Sequence, residues 1–186
     1  MKILHIETGR FFYGGPQQVL YLCSGLNDHG IENILICQPE SDLGKIAKDH
    51  GIRVIDLLCK GDLDLSFAFR LFKVIRNEKP DIIHCHSRRG GDFFGGLVAR
   101  CFDIPAILSR RVDSLEFSFL TRIRNAIFVK VIAISKNIYN ILSLSALHLD
   151  KLVMIRSAVD SQRFLIAVKK EEFLKKFDLN KDDFVL

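Results

Sequence analysis

One stretch of the chain, residues 79–92, most constrains how the whole can fold. It reads as a proline-led turn, a short apolar strand around Ile82 and Ile83, a basic loop with two glycines, and then a helix. Turn residues bound the apolar run, which is typical of a strand covered on both faces. Asp92 is the expected N-cap of the helix. Because open α/β sheets bind ligands where a strand's carboxyl end meets a helix start, this loop is a candidate binding site.

The same strand-loop-helix unit repeats along the chain. Further strands are predicted at 2–7, 32–37, 53–57, 106–109, 130–134 and 152–155. Helices are predicted to follow Pro16 and Ser41 and to cover 65–77, 92–101, 115–128 and 135–142, the fourth with an apolar face of Phe94, Leu97, Val98 and Cys101. Seven strands alternating with about six helices predict an α/β fold with a doubly wound, mainly parallel, Rossmann-like sheet.

The last part of the chain differs in composition from the rest. A charged helix is predicted from Lys169, and residues 182–186 look like a strand just beginning. We therefore expect residues 1–165 to form the Rossmann-like domain. Residues 166–186 would be a linker and the start of a second, truncated domain.

Composition excludes several classes of protein. Of the 186 residues, 48% are hydrophobic and 26% charged, which is the range of globular proteins. No run of eighteen apolar residues and no signal peptide are present, and the five cysteines form no CxxC pair, so a cytoplasmic protein with reduced thiols is predicted. A net charge of +5 is compatible with an anionic partner such as a nucleotide, a phospholipid surface or nucleic acid, and we favour the simpler explanation of a basic surface. A nucleic-acid partner is not predicted.

Paired glycines, Gly14 and Gly15, stand ahead of Pro16 at the end of the first predicted strand. They are compatible with a tight turn alone, or with close approach of an anionic ligand to backbone N–H groups at a helix start. The GxGxxG fingerprint is absent from this turn, which argues against a nicotinamide or flavin cofactor.

Two histidines flank Cys85 in the central strand. Strand alternation places His84 and His86 on one face and Cys85 on the other, so these three cannot converge on one metal ion. We therefore predict hydrogen-bonded histidines and no metal. His86, nearest the loop, is a candidate for contact with a substrate hydroxyl.

Two pairs of arginines, Arg88-Arg89 and Arg110-Arg111, each follow a predicted strand directly. Because parallel strands end at the same edge of a sheet, these pairs would lie close together. They are compatible with solvated surface charge or with an anion-binding site.

Phenylalanines are unusually frequent in 67–72 and recur at Phe117, Phe119 and Phe128, interleaved with arginine and lysine. Such helices fit an anionic membrane surface. They also fit a core helix whose long basic side chains extend past apolar neighbours, and we favour this second interpretation.

Five stretches together resemble retaining glycosyltransferases of family four, in the same order and spacing. They are residues 14–19, 80–87, 104–109, 131–135 and 157–164. The resemblance implies one half of a GT-B architecture, in which two Rossmann-like domains face each other across a cleft. It implies that this half mainly binds the acceptor, that the missing half mainly binds a nucleotide sugar, and that no metal cofactor is required.

The strand-end residues and the family's glycine loop together give the candidate site residues. His86 is the catalytic candidate, and the candidates for binding donor phosphate or acceptor are Gly14, Gly15, Ser87, Arg88, Arg110, Arg111 and Ser135. The chain departs from the family where many relatives carry Thr-x-His, since Ser109, Arg110 and Arg111 stand there. The role of that family histidine is therefore not carried over to Arg111.

The function implied is transfer of a sugar from a nucleotide diphosphate to a hydroxyl with retention, in envelope polysaccharide or lipopolysaccharide synthesis. The acceptor would be a saccharide or a lipid-linked, anionic molecule, and the enzyme would visit the inner face of the membrane peripherally. These 186 residues alone are expected to be inactive.

Two other functions remain open at this point. A nucleotide-sugar 2-epimerase has the same two-domain architecture. A response-regulator-like binding module is suggested by Asp56 at the end of the third strand, although Glu7 alone does not supply the acidic pair that such modules use to hold Mg²⁺.

Overall fold

The fold is built around one parallel β-sheet. The computed structural model describes residues 1–86, 90–113, 123, 126–144, 148–161 and 170–180. The strands are β1 (Lys2–Glu7), β2 (Glu32–Cys37), β3 (Arg53–Asp56), β4 (Ile82–Cys85), β5 (Ala106–Arg110), β6 (Lys130–Ala133) and β7 (Leu152–Met154). The helices are α1 (Gly14–Asp28), α2 (Asp42–Asp49), α3 (Leu65–Glu78), α4 (Gly91–Cys101), α5 (Lys136–Ser143) and α6 (Lys170–Lys176).

The strand order is β3-β2-β1-β4-β5-β6-β7, and every neighbouring pair is parallel. The chain first runs outward from β1 to β3 and then crosses to β4 on the other side of β1. This is the doubly wound order, so the predicted α/β, Rossmann-like class is confirmed. The crossing between β1 and β4 is the topological switch point of the sheet.

Two separate hydrophobic clusters pack against the sheet. Leu4 and Ile6 belong to a large cluster that also holds Phe67 of α3 and Phe94 of α4. The opposite face of the sheet, at β2, packs against α1 and α2 through a second cluster that includes Leu35, Val19, Cys23 and Leu43. The sheet is thus covered on both faces around β1 and β2, as the apolar strands predicted.

The N-cap of helix α4 lies two residues earlier than predicted. Its N-cap is Gly90, with φ 83°, and Asp92 lies in the first turn, buried, with Oδ1 accepting the N–H of Phe93 at 2.8 Å. A Cβ atom at position 90 would stand 2.5 Å from the carbonyl oxygen of Gly61. The prediction that Asp92 caps this helix is therefore wrong, because only glycine suits both this left-handed backbone and this close packing.

The buried face of α4 is also rotated from the predicted one. Phe94 and Val98 are buried as expected, but Leu97 is 41% exposed and Cys101 is exposed as well. A Cβ at Gly95 would lie 2.5 Å from Cys85 Sγ. The helix approaches the sheet through this glycine, and the apolar pattern alone could not reveal that contact.

Several predictions fall wholly or partly outside the described residues. Within the predicted helix 115–128, Ile123, Ala126 and Ile127 are helical, and the predicted strand at 182–186 lies outside. All five cysteines are free, consistent with the predicted reduced thiols. Among the described helices, none combines the length and the apolar character needed to cross a bilayer.

We expect Gly95→Ala to destabilise the fold by about 1–3 kcal/mol, since the new methyl group would overlap Cys85 Sγ and also stand 2.9 Å from Ile6 Cδ1. Gly25→Ala in α1 is the matched control, because a Cβ there meets nothing within 4 Å and should stabilise the helix by about 0.5–1 kcal/mol. Urea unfolding of both variants measures the difference. Equal stabilities would show that α4 does not pack this closely against the sheet.

Candidate functional site

A cavity of about 690 Å³ opens at the carboxyl ends of β1, β4 and β5. Its wall is formed by the loop after β1, the first turn of α1, and the ends of β4 and β5. Asp92 in the first turn of α4, and Ile134 and Ser157, which follow β6 and β7, also line it. The cavity therefore lies at the switch point, where doubly wound sheets bind their ligands.

The first turn of α1 is exposed to this cavity without a side-chain cap. Tyr13 is the N-cap in an extended conformation, and its side chain makes no capping hydrogen bond within the described structure. Gly14 and Gly15 line the cavity. The first N–H groups of a helix have no partner inside the helix and carry partial positive charge, so an anion is favoured here.

Arg111 lies directly beside the glycines. A Cβ at Gly15 would be 3.5 Å from Arg111 Cδ, and Arg111 Nη2 is 3.4 Å from His86 Nδ1. The half-buried guanidinium leaves its Nε buried with no hydrogen-bond partner in the described structure. Burial lowers the pKa of Arg111, while the charges of Glu7 and Tyr13 act in the opposite direction. A cation with unused donors thus stands next to an open helix start.

Arg110 has a different environment from Arg111. It is buried, and its Nε donates to the carbonyl oxygen of Val112 at 3.1 Å. Both arginines line the cavity. The side chain that reaches Gly15 and His86 is that of Arg111, which agrees with the alternation of neighbouring side chains along a strand.

A carboxyl group also borders the cavity. Glu7, at the end of β1, is buried, and its Oε1 accepts the N–H of Gly9 at 2.9 Å. Burial raises the pKa of Glu7, whereas the Gly9 hydrogen bond and the charge of Arg111 lower it. The negative charge of an ionised Glu7 partly compensates the positive charge of Arg111 beside the glycines.

Three buried histidines stand behind Arg111. His5 on β1 lies in register with His84 on β4, and His86 follows on the same face. His5 Nδ1 is 3.0 Å from His86 Nε2, His5 Nε2 is 2.9 Å from Asn33 Oδ1, and His84 Nε2 is 2.8 Å from Ser109 Oγ. Burial lowers the pKa of His5 to about 4, that of His84 to about 3, and that of His86 well below its ordinary value.

Both ring nitrogens of His5 and His86, and one of His84, face polar partners. Their nearest ring nitrogens lie within 4.8 Å of one another, which is a spacing that metal sites also show. The predicted hydrogen-bonded histidines are thus found, and Cys85 points to the other face, beside Gly95. The absence of a metal remains a prediction.

The structure brings together five of the predicted site residues. The cavity wall contains Gly14, Gly15, His86, Arg110 and Arg111. Ser135 instead caps α5, with its Oγ accepting the N–H of Ile138 at 3.2 Å, and it does not line this cavity. Ser87 and Arg88 lie outside the described residues. What these residues bind stays a prediction.

Several residues of the site were missed at the level of sequence. His5, Glu7 and Asn33 are polar residues inside otherwise apolar strands, and that pattern was the available signal. Gln18 of α1 forms two hydrogen bonds of 2.7 Å with the backbone of Ala158, one to its oxygen and one from its nitrogen. Nothing in the sequence indicated that contact, because it joins residues 140 positions apart.

The fold is Rossmann-like, and its cavity lies at the switch point of the sheet, beside Arg111 and the uncapped start of α1. Residues 13–163 match the model of Glycosyltransferase Family 4, and the chain belongs to that family. A curated relative from Escherichia coli, UDP-Gal:α-D-GlcNAc-diphosphoundecaprenol α-1,3-galactosyltransferase, is 23% identical. The match covers all of this chain and 52% of the relative, so the chain spans about half of the relative's length.

Solved structures share the fold. A glycosyltransferase from Rickettsia africae superposes with a TM-score of 0.82 at 20% identity, over 97% of this chain and 50% of that one. HepE from Anabaena, solved with UDP-glucose, superposes with a TM-score of 0.78 at 13% identity, over 96% of this chain and 49% of that one. Three 2-epimerase structures superpose less well, with TM-scores of 0.61 to 0.67. The predicted GT-B half is therefore confirmed.

We expect the free energy of unfolding to fall as the pH decreases below 6.5. The three histidines are neutral when folded but take up protons near pH 6.5 when unfolded, so acid favours the unfolded chain. Each contributes up to about 1.4 kcal/mol per pH unit, down to about pH 4 for His5. Urea unfolding between pH 7 and pH 4.5 measures this slope.

The comparison between variants isolates the histidines from other groups. His84→Gln should show a shallower slope, and His50→Gln, at an exposed position, should leave it unchanged. The pKa of Glu7 is raised above its ordinary value of 4.5, so protonation of Glu7 in acid favours the folded chain and opposes the effect of the histidines. The difference in slope between the variants is therefore more informative than the slope of the wild type. Identical slopes in all three proteins would mean that His84 is not buried in its neutral form.

Proposed function

We propose that this chain is the acceptor-side domain of an enzyme that transfers a sugar from a nucleotide diphosphate to a hydroxyl, with retention. The observation that carries the proposal is the arrangement of Arg111 beside the uncapped start of α1 in the cavity. Backbone N–H groups and a guanidinium would stabilise a diphosphate leaving group electrostatically, with no metal required. Family membership supports the same reaction class.

The proposed donor is a nucleotide sugar. HepE was solved with UDP-glucose, and the name of the Escherichia coli relative gives UDP-Gal as its donor. The acceptor named for that relative carries a sugar on a diphosphate-linked lipid. An acceptor with an anionic group would suit Arg111, because a planar guanidinium binds phosphate or carboxylate through two parallel hydrogen bonds. We place the enzyme in envelope polysaccharide or lipopolysaccharide synthesis, in the cytoplasm.

A second domain is part of this proposal. Residues 1–165 would bind the acceptor, and residues 166–186, which include α6, would lead into a donor-binding domain. The roughly twofold greater length of the relatives supports this division. We therefore expect residues 1–186 alone to show no turnover.

The two other functions have less support. The 2-epimerase structures resemble the chain less closely than the glycosyltransferases do. Asp56 ends β3 at the edge of the sheet, forms an ion pair of 2.9 Å with Lys48, and does not line the cavity. A phosphate-accepting role for Asp56 therefore has no site around it in the described structure.

The proposal is tested by assaying the full-length enzyme with UDP-galactose and GlcNAc-diphosphoundecaprenol. We expect an α-linked product, and in Arg111→Lys a weaker affinity for one substrate, since losing one charge-assisted contact costs roughly 1.5–3 kcal/mol. Arg53→Lys is the control, because Arg53 pairs with Glu78 at the start of β3 and does not line the cavity. Release of free epimerised sugar without acceptor would favour the epimerase, and equal kinetics in both variants would refute the arginine's role.

A peripheral membrane contact is also proposed, through the start of α3. Helix α3 buries Phe67, as the core interpretation predicted, but Leu63, Leu65 and Phe69 are 93%, 75% and 62% exposed. Lys73 lies 4.5 Å above the Phe69 ring. Apolar side chains next to a basic one are typical of surfaces that rest on anionic lipid.

We expect full-length protein to float with phosphatidylglycerol-containing liposomes at low salt. Binding should weaken in Leu63→Ser/Phe69→Ser, which loses apolar contact area, and should also weaken at high salt because the charges are screened. Leu144→Ser is the matched control, since Leu144 is 89% exposed on another element. If the fraction of protein that floats depends neither on the anionic lipid nor on these substitutions, the proposed membrane contact is wrong.

A further inference from the structure

A continuous line of polar contacts runs from the core to the cavity. It starts at Asn33 on β2, passes through His5 and His86, and ends at Arg111. The successive distances are 2.9 Å from Asn33 Oδ1 to His5 Nε2, 3.0 Å from His5 Nδ1 to His86 Nε2, and 3.4 Å from His86 Nδ1 to Arg111 Nη2. The first three residues are buried, with exposed fractions of 4%, 0% and 4%.

The direction of this line is set at Asn33. Its amide nitrogen donates to the carbonyl oxygen of Ile31 at 2.8 Å, to Asn27 Oδ1 at 2.7 Å and to the carbonyl oxygen of Cys23 at 3.3 Å. All three partners are oxygen acceptors, so the amide oxygen must be the atom that faces His5. His5 therefore donates from Nε2 to Asn33.

The proton positions further along the line then follow. A neutral imidazole with its proton on Nε2 has a lone pair on Nδ1, so His5 Nδ1 accepts a hydrogen bond from His86 Nε2. His86 is left with its lone pair on Nδ1, the nitrogen that faces the Arg111 guanidinium. Burial keeps the pKa of both histidines low enough for them to be neutral near pH 7.

We propose that Asn33, His5 and His86 are positioning residues that hold Arg111 beside the start of α1 by fixing the His86 Nδ1 lone pair toward its guanidinium. An arginine donates only, so the opposite histidine tautomer would set two donors against each other and push Arg111 away. A neutral acceptor also leaves the positive charge of Arg111 available to an anion. This inference rests on the proposed anion-binding role of the cavity.

Histidine-selective NMR of the full-length protein tests the tautomers directly. We expect the wild type to carry its protons on Nε2 in both His5 and His86, and to show a resolved Arg111 Nη resonance at low temperature. Ser109→Ala breaks only the His84 contact, so it should leave both tautomers unchanged. A wild-type His86 protonated on Nδ1 would overturn the proposal.

Asn33→Asp replaces the amide by a carboxyl group of the same size, and it loses the amide N–H groups that face three oxygen acceptors. A carboxylate at position 33 favours a protonated His5, which would donate from Nδ1 to His86 Nε2 and force the His86 proton onto Nδ1. We expect the Arg111 Nη resonance to disappear, and the affinity for inorganic pyrophosphate to fall about three- to tenfold. A reversed tautomer with an unchanged Arg111 resonance would overturn the proposal.

A second pair of variants answers the question if Asn33→Asp fails to fold. His86→Asn retains an acceptor close to the position of Nδ1 and should preserve the Arg111 resonance and the pyrophosphate affinity. His86→Leu removes that acceptor and should lose both, and equal behaviour of these two variants would overturn the proposal.

Two further results distinguish the positioning role from a metal site and from a failure of anion binding. Zn²⁺ that binds to the wild type and removes the Nε2–H signals of His5 and His86 would overturn the proposal in favour of a metal site. If pyrophosphate does not bind to the wild type, the proposed anion-binding function fails, and the tautomers and the Arg111 resonance still decide the positioning role.

Discussion

The structure depends on the parallel pairing of β1 with β2 on one side and β4 on the other. In this register His5 stands between Leu35 and His84, while Leu4 stands between Ile34 and Ile83. Because the chain leaves β1 toward one edge of the sheet and returns at β4 toward the other, the loops after these strands diverge. The cavity occupies the space between them.

A polar network is buried in the centre of this sheet at a cost that its hydrogen bonds offset. His5, Asn33, His84 and Ser109 would each be unfavourable alone in a low-dielectric interior. Their donors and acceptors are matched in pairs, and the Asn33 amide sets the direction of the hydrogen bonds through His5 to His86. His86 belongs both to this buried network and to the lining of the cavity, so it connects the core with the candidate site.

Arg111 stands at a position where this chain departs from the pattern of Glycosyltransferase Family 4. The family resemblance places a Thr-x-His pattern where this chain has Ser109, Arg110 and Arg111. An arginine cannot act as a base near neutral pH, but it adds a permanent positive charge beside Gly15. The departure therefore replaces a side chain that can exchange a proton near neutral pH by one that keeps its positive charge there.

Local patterns in the chain were sufficient to predict the α/β class, the order of strands and helices, and the residues at the ends of β1, β4 and β5. These follow from periodicity, turn residues and the rule that parallel strands end at one edge. Tertiary structure alone decided that His5 and Asn33 join His86, that α4 approaches the sheet through Gly95, and that Gly90 rather than Asp92 begins that helix. Such contacts join residues far apart in the chain, and their fit depends on register and on distances of a few ångströms that no local pattern contains.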